Sequence, residues 1–429
     1  MRFFLDLLYV FAGIAYSPVI VYRAVRHKRY RTGWAQRFGK ISRKSPAKKC
    51  IWIHAVSVGE VNAAKTVVTE LVNRFSDLEV VVSTTTDTGF SRATNLFGKN
   101  HEVFYFPFDF SLVMRRAFKN LNPAICLLME LEVWPNFVDV ARQLDIPVVV
   151  VNGRISEKSF SKYIKVKPLV KNFFRKISLV LAQTDEYARR FKELGCPDED
   201  VIVTGSLKYD TAQITDKVEG ADILKHQLSL SDEKLWIAGA TGPGEEKMIL
   251  EVFADLARQE EYRDLRLVIV PRKPERFNEV AQLITDASFD FLRYSEIKGT
   301  GSVSPKKTPV ILGDTMGDLR KFYSLSAIIF VGRSLVPMGG SDMMEAAALG
   351  KCTIFGPHAF NFKQTVDALL EDEGAIMVQD QRQLLDVMKK CLNEPDYAER
   401  IAHNGRQTIR KNQGATQKTI EQITGFLRR

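Results

Sequence analysis

A chain of 429 residues is too long for one ordinary hydrophobic core and implies two or three domains. Its 45% hydrophobic and 26% charged residues are the proportions of a globular protein. A net charge of +10 suggests a nucleic-acid binder, but eleven Lys/Arg and no acid fall between Arg23 and Lys49, and subtracting them leaves −1 for the rest. The basicity is therefore read as a local device. Stacking aromatics are not interleaved with it, so a nucleic-acid partner is not expected.

The basic run follows an apolar segment, Phe3–Tyr22, broken only by Asp6, Ser17 and Pro18. About 20 apolar residues can span a bilayer. The positive charges follow the segment and no small-residue cleavage site is seen, unlike a signal peptide. Positive-inside logic puts the body of the protein in the cytoplasm. Both a single span and a helix lying in the inner leaflet fit, with the lysines and arginines attracting anionic lipid at about 1 kcal/mol each. Five cysteines without paired spacing point to reduced thiols and against a structural zinc.

Ile51-Trp52-Ile53 reads as a buried strand, and it empties through Ser57-Val58-Gly59-Glu60 into a helix with Ala63, Ala64, Val67, Val68, Leu71 and Val72 at helical spacing. Glu60 is thus a carboxylate delivered to the strand-end crevice where doubly wound domains bind ligands. Strands follow at 79–84, 103–107, 124–129, 147–151, 179–182 and 201–203. The fourth ends in Glu130-Leu131-Glu132. One of these two carboxylates is expected to face the crevice. His54 and His358 are candidate polar contacts near strand ends.

A polar stretch, 211–222, reads as a linker, after which the alternation restarts with strands at 235–238, 267–270, 289–292, 310–312, 328–331 and 353–355. Nearly every strand exit here carries a Gly-rich or basic turn, such as Thr241-Gly242-Pro243-Gly244, Pro271-Arg272 and Gly313 through Asp318. Glycines before helices free backbone N–H groups for a phosphate, and Glu345 suits a ribose. There is no GxGxxG after the first strand and no GxxxxGK[ST], which disfavours dehydrogenases and P-loop enzymes. The acid cluster Asp198-Glu199-Asp200 reads as a solvated turn, so no metal is inferred. The residues alone give an α/β chain of two Rossmann-like, doubly wound domains facing a cleft.

In order, HAVSVGE (54–60), TTTDTG (84–89), MELEVWPN (129–136), GSLKYD (205–210), PRKPER (271–276), GDTMGDL (313–319), the GG…EAAALG block (339–350) and GPHAFNF (356–362) closely resemble the 3-deoxy-D-manno-octulosonic acid (Kdo) transferases. The resemblance runs over nearly the whole chain. It implies a metal-independent inverting GT-B glycosyltransferase that uses CMP-Kdo as donor and a lipid A precursor as acceptor, at the cytoplasmic face of the inner membrane. Glu60 would be the general base, and Glu130 and Lys208 would stabilise the transition state. Pro271, Arg272, Met316, Gly317, Asp318, Asp342, Met343, Met344 and Glu345 would hold CMP. Where the family usually has Gly-Gly-His-Asn, this chain has Gly339-Gly340-Ser341-Asp342, which adds a carboxylate beside the nucleotide. Lys273, Arg333 and Asp318 stand where His, Gly and Glu are usual. The rivals are a GT-B enzyme using a UDP-sugar and a non-catalytic module that binds nucleotide or anionic lipid. The expected domains are an anchor helix plus basic segment (1–49), an acceptor domain (50–210), a linker (211–222) and a CMP-sugar domain with terminal helices (223–429).

Overall fold

The computed structural model describes residues 2–26, 32–231, 233–300 and 308–428. The chain forms two compact units, 1–211 together with 412–429, and 212–411. The first holds seven parallel strands, β1 Lys49–His54, β2 Leu78–Thr84, β3 Glu102–Tyr105, β4 Pro123–Met129, β5 Val148–Gly153, β6 Leu179–Ala182 and β7 Val201–Val203, in the order β3-β2-β1-β4-β5-β6-β7. The second holds β8 Lys234–Thr241, β9 Leu265–Pro271, β10 Phe291–Arg293, β11 Val310–Leu312, β12 Ile328–Val331, β13 Cys352–Phe355 and β14 Ile376–Met377, in the order β10-β11-β9-β8-β12-β13-β14. All pairings are parallel. Runs such as Cys-Ile-Trp-Ile and Val-Val-Val-Val are buried on both faces by helices, which is the environment that parallel strands require.

The strand order reverses beside β1 in the first unit, between β1 and β4, and beside β8 in the second, between β8 and β12. At these switch points the strand-end loops diverge to opposite faces and leave a crevice. The residues after β1 and β4, and after β8 and β12, are therefore placed together by topology.

One domain boundary differs from expectation. The terminal helix Ala415–Leu427, expected in the second domain, belongs to the first unit. Its Ala415, Ile420, Ile423 and Leu427 join the core built by Val61, Ala64 and Leu207. Asp210 fixes its start by accepting hydrogen bonds from Gly414 N (2.7 Å) and Thr416 N. An amphipathic stripe states that a helix packs, not which core receives it.

The N-terminal segment forms a helix, Arg2–Arg26. Among the described residues, no helix is long and apolar enough to cross a membrane. Asp6, which interrupts the apolar run, accepts hydrogen bonds from Ser111 N (3.0 Å), Ser111 Oγ and Asn136 Nδ2 (3.0 Å). The Tyr9 hydroxyl donates to Asp109 (3.1 Å). The start of this helix is thus tied to the body, while Leu8, Phe11 and Ile14 are exposed. Of the basic run, Lys28, Arg29 and Arg31 lie outside the described residues.

Asp6→Ala removes the acceptor for three donors and should cost about 1–3 kcal/mol. Hydrogen exchange is expected to accelerate through the first helix while the sheets stay protected; unchanged exchange there would contradict this docking.

Candidate active site

Ser57 caps the helix Val58–Arg74, and Glu60 reaches back in the reciprocal pattern that Ser-x-x-Glu encodes. The Glu60 carboxylate accepts from Val56 N (2.9 Å) and Ser57 Oγ (2.8 Å). The side chain is nearly buried, 8% exposed. Burial raises its pKa above the usual carboxylate range; the two hydrogen bonds oppose the rise and the charge of Glu130 adds to it. Thr86, which caps the next helix, donates to Val56 O (2.9 Å) and so fixes the same loop. Gly89 is required there, because a Cβ would stand 2.7 Å from Val56 O.

The exit of β4 corrects one expectation. Glu130 has φ +56°, a left-handed conformation, so the chain turns instead of running on extended. Glu130 and Glu132 both interact with Glu60. The charge of Glu130 raises Glu60, and Glu132 is pushed up to about 7 by burial first, then by Glu60, with Trp134 Nε1 donating to it (3.1 Å). Three carboxylates therefore share the switch point of the first unit. Side chains two apart on an extended chain share a face, so the strand pattern offered Glu132 beside Glu130 and the sequence reading passed it over.

In Gly205-Ser206-Leu207-Lys208-Tyr209-Asp210, three neighbours of Lys208 are occupied. Leu207 N donates to Asn152 Oδ1 (3.0 Å), Tyr209 is buried with its carbonyl accepting from Gln413, and Asp210 holds the terminal helix. Lys208 is half-buried. The turn packs against the helix that carries Glu60.

The switch point of the second unit carries another correction. The N–H groups of the Gly242 turn and of the loop after β12, expected to be free for a phosphate, are taken by Glu245. Its buried carboxylate accepts from Gly242 N (3.0 Å), Ser334 N (2.7 Å), Leu335 N (2.9 Å) and Arg333 N. Gly332 permits the approach, since a Cβ there would lie 2.6 Å from Thr241 Cα. Arg333 holds φ +61°, a conformation that favours the glycine usual in the resembling family.

Arg272 is exposed just beyond Pro271, and its charge acts on Glu345. Glu345 opens the helix Met344–Ala348 and is raised by burial and by Asp342, against the pull of Arg320 and Arg272. Asp342 also accepts from Met344 N (2.9 Å), and Ser341 Oγ donates to Ala240 O (3.1 Å). The side chains of Met343 and Met344 are buried. Met316 is exposed and Gly317 is left-handed at φ +89°. Asp318 is buried and bound by Thr315 Oγ1 (2.6 Å), Lys298 (2.5 Å) and Lys321 (3.0 Å), which hold its carboxyl below the usual range despite burial; its side chain shapes the loop.

His54 does not join this chemistry. His54 is fully buried, bonded through Nδ1 to Ser83 and stacked on Phe106, and burial lowers its pKa to about 3, so it is a neutral core residue. His358 donates its backbone N–H to Ser334 O (2.9 Å).

The sequence profile of the 3-deoxy-D-manno-octulosonic-acid transferases (kdotransferases) matches residues 32–211. The 3-deoxy-D-manno-octulosonic acid transferase of Haemophilus influenzae is 35% identical over 95% of this chain and 94% of its own. This chain belongs to the Kdo transferases. The Kdo transferase of Bordetella pertussis is 32% identical over 91% of both chains. The fold is also that of a glycosyltransferase from Rickettsia africae (TM-score 0.56, 14% identical, 89% of this chain and 99% of that one). It matches equally the UDP-GlcNAc 2-epimerase of Neisseria meningitidis (TM-score 0.57, 17% identical, 88% and 100%). The two-sheet architecture is thus that of GT-B glycosyltransferases.

A Kdo transferase whose Glu132 titrates near 7 beside Glu60 should show an inflection near that pH in kcat/KM. Activity should rise as Glu132 ionises, because the added negative charge makes Glu60 the stronger base. Glu132→Gln is expected to abolish the inflection and keep the lower limb set by Glu60; persistence of the inflection would assign it to another group.

Proposed function

We propose that this Kdo transferase moves Kdo from CMP-Kdo to a lipid A precursor with inversion, Glu60 serving as general base. The observation that carries the reading is the state of the Glu60 carboxylate, which is buried, oriented by Val56 N and Ser57 Oγ, and raised in pKa beside Glu130. A base of raised pKa takes a hydroxyl proton more readily at neutral pH. Departure of CMP from the ketosidic carbon builds oxocarbenium character, which the anion of Glu130 favours. Lys208, half-buried in its turn, would offset charge on the departing phosphate or the donor carboxylate. In the second unit, Arg272 with the backbone of 316–318 and of 342–344 would hold the nucleotide, and Glu345 its ribose hydroxyls. CMP leaves already ionised, so the reaction needs one base and neither an acid nor a metal.

The same reading puts the chain on the cytoplasmic face of the inner membrane. Exposed Leu7, Leu8, Val10, Phe11 and Ile14 on the first helix support a helix lying in the interface, with the basic run that follows drawing anionic lipid.

Mass spectrometry of the products from CMP-Kdo and a tetra-acylated lipid A precursor tests the reaction. Wild type should add one or more Kdo units. Glu60→Gln, nearly isosteric, should slow transfer by about 10²–10⁴-fold with an unchanged melting curve. Wild type that is folded yet transfers sugar only from a UDP donor would overturn the reading.

A further inference from the structure

A cavity of about 410 Å³ opens in the first unit beside the carboxylate group, within the usual range of ligand sites. One wall is Leu131–Pro135, the segment that leaves β4 directly after Glu130. The opposite wall is helical: Tyr163 from Glu157–Lys165, then Val170, Phe173 and Phe174 from Lys167–Phe174. Tyr9 of the N-terminal helix closes a third side, held there by Asp109. Apart from Glu132, which Trp134 binds, the lining is aromatic or aliphatic with only tyrosine hydroxyls and backbone as polar groups.

The elements around this cavity have the composition of a lipid-facing surface. The two helices between 157 and 174 carry exposed Ile164, Val166 and Leu169. Lys158, Lys162, Lys165, Lys167 and Lys171 stand among them, against the single acid Glu157. Basicity is therefore not confined to 23–49, as the net count had suggested. A hydrophobic slot with an apolar and cationic surround, starting at the loop that bears the acidic group, matches an amphiphile with an anionic head and a hydrocarbon tail.

We propose that the cavity is an acyl-chain slot. It takes one fatty-acyl chain of the lipid acceptor, and so sets the acceptor hydroxyl near Glu60, while the lysines of the 157–174 helices face the phosphates of its head. The assignment rests on the acceptor proposed above and adds the place where its tail is read. The tail, rather than a bilayer lipid, is the assigned occupant because the slot's wall is the catalytic loop itself, so that occupancy orders Glu130 and Glu132. Burying methylenes there would lower KM for acylated acceptor in detergent as well as at a membrane.

The test pairs a filling substitution with a covalent map. Val170→Trp, at a half-buried position, should raise KM for the tetra-acylated acceptor about tenfold in detergent. It should leave kcat, the melting temperature and the kinetics with an acyl-free, bis-phosphorylated glucosamine disaccharide within about twofold. Equal loss on both acceptors, or no change on either, would overturn the slot. Independently of turnover, a tetra-acylated acceptor with a diazirine at the end of one acyl chain should label peptides 131–135 and 163–174. Excess unlabelled acceptor should suppress that labelling, whereas phosphatidylglycerol micelles should not. Labelling elsewhere, or suppression by phosphatidylglycerol alone, would overturn the assignment. Wild type that labels as expected yet transfers no Kdo would instead refute the reaction proposed above and leave the slot standing.

Discussion

Backbone N–H groups at the carboxyl ends of the parallel strands must find acceptors where the chain leaves the sheet, and in this protein buried carboxylates supply them. Glu60 accepts from Val56 N, Asp109 from Asn136 N and Phe137 N, and Asp314 from Ser295 N. Glu245 accepts from four at once. An N–H left unsatisfied in such a place costs about 1–3 kcal/mol, so these acids fix the loops that any ligand must use. They differ in what remains afterwards. Glu245 has one donor after another and no acid of its own kind pressing on it, which makes it a pin. Burial raises the proton affinity of both, but Glu60 has fewer donors to oppose the rise and the charge of Glu130 adds to it. The same device gives a structural acid in one unit and a candidate base in the other.

This division explains why the motifs are mixed in character. In Gly205 through Asp210, Asp210 secures the terminal helix while Lys208 is the residue assigned to the ligand by the proposed reaction. In Pro271 through Arg276, Arg276 is buried against Glu246 (2.5 Å) and Glu279 (2.7 Å), whereas Arg272 is exposed. In Gly313 through Asp318, Asp314 and Asp318 are both engaged by neighbours, and what the loop presents is Met316 and a left-handed Gly317. A family motif is thus partly a ligand set and partly the scaffold that holds it.

Much of this was legible in the sequence. Every β-branched run expected as a strand is one, because short apolar runs between glycine-bearing turns fit only a sheet covered on both faces. The edge strand Ile376–Met377 escaped, since two residues make no run. Glu60, Glu130 and Lys208 could be named from strand exits and family motifs. Glu132 could have been named with them, because side chains at i and i+2 of a strand share a face; the left-handed turn at Glu130, with no glycine to announce it, could not. Nor could the role of Glu245, because an acid in a first helical turn looks the same whether it meets solvent or four amides. The ownership of the terminal helix was likewise invisible, being decided by Asp210 two hundred residues earlier.

The central claim is that the Glu60 carboxylate is poised as a base by burial and by its acidic neighbours. A carboxyl ¹³C titration of the intact protein, with Glu60 assigned by Glu60→Gln, reads this directly. Glu60 should titrate above the ordinary glutamate range, and Glu130→Gln should lower it. A Glu60 that ionises at or below that range, indifferent to Glu130, would make it a helix cap and nothing more.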